Sequence, residues 1–177
     1  MHLYTLPDHP ELMCYGTGYN TWCVQTNQKA LSAYGVLATD PHADFAAAGT
    51  TREEVLDTAL ALLRFSLRSH LVGDVRCTDG EQWGHTWISV LGIERMMHAV
   101  DALQPHMTQA DTDLLHRVLV SEADWLLKHY PVEAGIEDNN KPESNIWNGA
   151  LLHRTALMVP DAPQRRSLPR KGHAILA

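Results

Sequence analysis

Three absences frame this sequence. The cysteines are only Cys14, Cys23 and Cys77, an odd number with no CxxC pair. This excludes a disulfide framework and leaves free thiols, expected to be buried. No stretch approaches the roughly 20 apolar residues that a membrane-spanning helix needs. The start of the chain, where Met1 to Tyr4 leads into Pro7 and Pro10, has no apolar signal-peptide run. A cytoplasmic location is therefore expected for the chain as it stands, with a periplasmic or secreted one if an export signal precedes it. Positive charge is also scarce. Asp and Glu outnumber Lys and Arg by 21 to 14, for a formal net charge of -7. The basic residues that do cluster, Arg165, Arg166, Arg170 and Lys171, lie in one C-terminal tail. Nucleic-acid binding normally needs a basic face, so neither nucleic acid nor membrane is expected as a partner.

What is present fits one helical domain. A length of 177 residues allows a real core but not two comfortable domains. Residues 1–19 read as irregular, broken by Pro7, Pro10, Gly16 and Gly18. Helical spacing then predicts five helices, over about 21–38, 51–73, 86–103, 109–130 and 145–159. The second is the clearest, because Thr51-Arg52-Glu53-Glu54 forms a capping box ahead of a periodic apolar run. Asp74 to Gly84 is polar and turn-rich, a loop. No strand pattern is evident, which makes the class all-α with antiparallel helix hairpins. Residues 161–177 form an atypical basic tail, with the beginning of a cut-off sixth helix from Pro169.

The starts of the first, third and fifth helices share a signature. They are Tyr19-Asn20-Thr21-Trp22, Gly84-His85-Thr86-Trp87 and Ser144-Asn145-Ile146-Trp147. Each places a hydrogen-bonding side chain two positions before a Trp, at intervals close to one helix pair. Such a period is the mark of a helical repeat. If alternate helices run the same way, their N-termini gather at one end, where free N–H groups favour anions or developing negative charge. Trp faces suit the C–H faces of sugar rings, and amides suit their hydroxyls. Each residue type also has a plain structural use, Trp as packing and Asn as an N-cap.

The two loops richest in polar and aromatic groups precede the third and fifth helices, at 79–85 and 137–148. His85 is suited to general base work near neutral pH, and Tyr19 to proton transfer. Asn139, Asn140, Asn145 or Asn148 could neutralise a uronate carboxylate. Asn20, Trp22, Trp83, Trp87, Asn140, Glu143, Trp147 and Asn148 are the candidates for substrate binding. A hydrolase would need two carboxylates across a cleft instead, and Asp79, Glu81, Asp138 and Glu143 are available. The eleven His residues include no HExxH and no Cys/His pair with ligand spacing, so no metal or cofactor is expected.

The runs from Gly80 to Ser89 and from Asn139 to Ala150 resemble segments of bacterial (α/α) toroid proteins. They are most similar to the helical domain of heparinase II/III-like polysaccharide lyases, over about 16–160. The resemblance implies β-elimination at a uronic acid, an acidic polysaccharide as partner, and roles for Asn145 and His85. Three helix pairs are about half of a six-pair ring, so it also implies an arc that carries part of a site. The exposed apolar edge of such an arc predicts self-association. Alternatives are a toroid-type glycoside hydrolase and a non-catalytic helical-repeat module that binds a glycan or a protein.

Overall fold

The computed structural model describes residues 2–16, 24–129 and 142–159. They form a mostly helical fold with one small sheet. In chain order the elements are β1 (Leu3–Leu6), β2 (His9–Tyr15), α1 (Val24–Thr39), α2 (Arg52–Arg68), α3 (Ser89–Leu103), a 3-10 turn (Gln104–His106), α4 (Gln109–His129) and α5 (Pro142–Met158).

The N-terminal segment corrects the expectation of irregular structure. β1 and β2 pair antiparallel, with Leu3 opposite Tyr15 and Tyr4 opposite Cys14. Pro7 and Asp8 supply the turn rather than a break. Leu12 and Cys14 alternate inward onto the core while Glu11 stays exposed, the period of a half-buried strand. The hairpin lies on α2, where Arg68 bonds both Glu11 and Asp74. Its second strand is tied further by one side chain, Asn27 of α1. The Asn27 carbonyl accepts the Tyr15 N–H at 2.8 Å, and its amide donates to Ser66 Oγ and the Leu62 carbonyl of α2.

The helix ends follow local chemistry. At α2, the Thr51 hydroxyl accepts the Glu54 N–H and the Glu54 carboxylate accepts the Thr51 N–H, the expected capping box. The helix stops at Arg68, earlier than periodicity predicts. Ser69 caps it, and the chain folds back so that Val75 donates to the Arg68 carbonyl. Gly73 is needed in this turn, because a Cβ there would lie 2.0 Å from the Arg68 oxygen. α3 begins at Ser89 rather than Thr86, because Gly84 and His85 hold positive φ values of 132° and 52°.

The helices form two rows. α1 packs on α3 and α3 on α5, while α2 packs on α4. Direction follows from the contacts. Gln28 meets Gly92 and Gly35 meets Ala99, so α1 and α3 run parallel in one register. A Cβ at Gly35 would be 2.6 Å from the Ala99 Cβ, which shows how closely the two backbones approach. Arg64 pairs with Asp111, and His70, just beyond α2, pairs with Glu122, so α2 and α4 also run parallel. Between the rows, Asn27 reaches Leu62 while Arg52 reaches the Ala38 carbonyl, so α1 and α2 are antiparallel. The core between the rows includes Leu31, Leu62, Phe65, Ile93, Met97 and Leu119, all inaccessible to solvent.

Candidate functional site

The most organised polar cluster lies where α2 ends, α3 begins and α4 passes behind both. Its scaffold is the 69–85 segment. Trp83 and Ser69–Leu71 exchange backbone hydrogen bonds, with Trp83 N–H on the Ser69 carbonyl and Leu71 N–H on the Trp83 carbonyl. The Gln82 amide donates to the carbonyls of His70, Gly73 and Val75, which closes the loop onto itself. A segment this polar is thereby held rigid without regular secondary structure.

At the centre is Glu122 of α4, fully buried. Its Oε1 lies 2.9 Å from His70 Nε2 and accepts the His85 N–H at 2.6 Å, and the Ser89 hydroxyl is 2.7 Å from Oε2. The Val72 N–H donates to His70 Nδ1, so the imidazole carries its proton on Nε2 and gives it to the carboxylate. Burial alone would raise the Glu122 pKa. The hydrogen bonds from His70, the His85 N–H and the Ser89 hydroxyl outweigh it and hold the carboxyl below its ordinary range. The His70 ring also meets the Trp83 ring edge-on at 4.7 Å.

The backbone of residues 84–85 exists in its unusual form because of this carboxylate. A positive φ at His85 turns its N–H inward to Glu122. Gly84 must be glycine, since a Cβ would sit 2.6 Å from His70 Nε2. The His85 side chain is thereby aimed at α4, with Nε2 2.9 Å from Ser121 Oγ. Its ring stacks on Trp125 at 5.9 Å and an interplanar angle of 6°, and Trp125 stacks on His129 at 5.8 Å. His85 remains partly exposed, and Trp87, two residues on, is 48% exposed.

The expected site residues fall into separate groups. His85 and Trp87 share the turn before α3. Trp83 is 1% exposed and donates from Nε1 to the Ser66 carbonyl, so it supports the turn from within the core and offers no face to a ligand. Glu143, Asn145, Trp147 and Asn148 lie in the first two turns of α5, where Glu143 is exposed, Asn148 is buried and Trp147 packs against the core. Tyr19, Asn20, Trp22, Asn139, Asn140 and Asp138 lie outside the described residues. Asp79 and Glu81 are exposed in the loop before Trp83. The shared signature is not structurally equivalent at its two described positions. His85 and Trp87 precede α3, whereas Asn145 and Trp147 are inside α5.

His70, Glu122, Ser89 and Ser121 were not among the expected residues. One signal was available for Glu122, which interrupts the apolar stripe Leu115, Val118, Leu119 and Leu126 at a core position. A carboxylate on such a stripe needs a partner. Among the described residues, no group of three His, Cys, Asp or Glu could hold a metal ion. No helix among them is long and apolar enough to cross a membrane. No family model, no curated protein and no solved structure matches the chain.

Proposed function

We propose that the chain is an arc of an (α/α) toroid that binds acidic glycans at the start of α3, with His85 as its proton-transfer residue. One observation carries this reading, the parallel packing of alternate helices. α1 and α3 lie in one register, α5 continues their row, and α2 and α4 form a second row. Inner and outer layers of a toroid have this relation. His85 then stands at the mouth of an inner-row helix, where helix N–H groups favour negative charge. The exposed Trp87 ring supplies an apolar face for a sugar.

The reaction that fits is β-elimination. A base removes the proton next to a uronate carboxyl, its electron pair forms the C=C bond, and the glycosidic C–O bond breaks as the leaving oxygen takes a proton. In the tautomer that donates its Nε2–H to Ser121 Oγ, His85 has the Nδ1 lone pair for the abstraction. Asn145 at the start of α5 is the proposed partner for the carboxylate. A second reading is a non-catalytic glycan-binding module. The flat stacking of His85 on Trp125 favours it, because one ring face and one ring nitrogen are already engaged.

The test is binding and turnover on a panel of acidic and neutral polysaccharides, with ultraviolet absorbance recording unsaturated uronate products. Absorbance that rises with an acidic substrate and is lost in His85→Ala supports the lyase. Binding that is lost in Trp87→Ala, with no rise in absorbance, supports the module. A folded chain that binds nothing on the panel refutes both.

A further inference from the structure

A second surface feature is independent of the glycan reading. α4 and the turn after α2 enclose an open groove of about 520 Å³, lined by Val72, His116, Arg117, Val120, Ser121 and Val159. A neighbouring cleft of about 470 Å³ shares Val72 and Arg117, extends toward Ala110 and Leu114, and is closed at its side by the Arg68–Asp74 ion pair. Ala110, Leu114, Arg117 and Ser121 follow one face of α4 at helical spacing. The two clefts therefore make one trough, with Arg117 at its middle.

Arg52, Arg76 and Arg95 bond carbonyl or amide oxygens, and three other arginines pair with carboxylates. Arg64 is paired with Asp111, Arg68 with Asp74 and Glu11, and Arg154 with Asp101. Among the described residues, no carboxylate pairs with Arg117, and its guanidinium is exposed. His116 stands beside it on the same helix. Asp74 is taken up by Arg68, which leaves Arg117 as the cation without a carboxylate partner above the valine floor. The larger cleft lies within the size range of small-molecule sites. Its walls have too few hydrogen-bonding groups to satisfy a sugar's hydroxyls, but they suit an alkyl chain.

We propose that this trough binds a medium-chain carboxylic acid. The alkyl chain lies along Val72, Val120 and Val159, and the carboxylate is held by the Arg117 guanidinium. The ligand reaches the His85 turn only through Ser121, which lines the groove and bonds His85 Nε2.

Isothermal titration of the full chain with decanoate, below its micelle concentration, tests this, with decanol as the head-group control. One saturable site is expected for decanoate, with decanol at least about tenfold weaker. Arg117→Leu should weaken decanoate about tenfold or more and leave decanol unchanged. Arg117→Lys, which keeps the charge but not the fork, should fall between. The exposed position of Arg117 predicts an unchanged thermal melt for both variants. Equal binding of decanoate and decanol, or an Arg117→Leu variant that binds decanoate like the parent, overturns the proposal. So does a groove that takes a hydrophobic peptide C-terminus but not decanoate, or one that is closed by a second copy of the chain in sedimentation.

Discussion

Replacing Glu122 by alanine would remove the anchor of the whole 70–89 region. Three groups lose their acceptor: His70 Nε2–H, the His85 N–H and the Ser89 hydroxyl. Ser89 can re-aim to the Thr86 carbonyl, already 2.8 Å away. The His70 donor stays fully buried and the His85 N–H part-buried behind α4. Each unsatisfied buried donor costs about 1–3 kcal/mol. Two such donors together cost about 2–6 kcal/mol. For a domain of this length, each kcal/mol lowers Tm by about 2–4 °C, giving a fall of about 10 °C. Differential scanning calorimetry measures the shift, and amide exchange at His85 reports the loss of its acceptor. Glu122→Gln keeps an acceptor oxygen and should lose about half as much. His70→Ala combined with Glu122→Ala should be clearly less damaging than the sum of the single changes, because the two share one interaction. A fall below about 2 °C for Glu122→Ala, or full additivity with His70→Ala, would refute the view of Glu122 as the anchor.

Other expectations follow from the same geometry. Gly84→Ala forces a Cβ into His70 at a positive φ and should destabilise by at least the roughly 1–3 kcal/mol of an overpacked core; an unchanged chemical-denaturation midpoint would count against the described turn. Burial would raise Asp111, but the Arg64 hydrogen bond, with the Thr108 bonds, prevails and lowers it, as His70 and its neighbours do for Glu122. Carboxyls with depressed folded-state pKa values stabilise fully above the ordinary carboxylate range, and that contribution disappears as pH falls through their folded values. Glu94 and Asp124, raised by burial, act in the opposite sense. The melting temperature of wild type should therefore converge on those of Glu122→Gln and Asp111→Asn as the solution is acidified, and parallel curves would contradict this. Burial pushes the Cys14 thiol up to about 11 and the Cys77 thiol up to about 12. Mass spectrometry after iodoacetamide treatment at neutral pH should find both unmodified until denaturant is added.

Much of the helical architecture was legible because it is local. The Thr51–Glu54 box, the apolar spacing of α2 and α4, and the stop after Leu103 all act within a few residues. The hairpin was not legible, since Pro7 and Pro10 signal disruption and the inward alternation rests on little more than Leu12 and Cys14. The site was half legible. His85 and Trp87 stood out through their loop, but His70 and Glu122 are 52 residues apart and meet only because α2 and α4 run side by side. Trp83 illustrates the opposite error of emphasis. An indole in a polar loop suggests a ligand surface, yet its N–H finds the Ser66 carbonyl and its ring fills the core. The recurring Trp signature is a sequence regularity that the described helix starts do not share as a conformation.

Asn27 carries a consequence for the order of assembly. Its carbonyl holds the hairpin through Tyr15, while its amide is committed to Ser66 and Leu62. The orientation that receives the hairpin exists only after α1 and α2 have met. Docking of β2 is then a late event, with little of its contact present at the folding barrier. Weakening that contact should quicken escape from the native state while leaving the rate of reaching it nearly untouched. The N-terminal strands would thus act as a latch on kinetic persistence rather than as a nucleus.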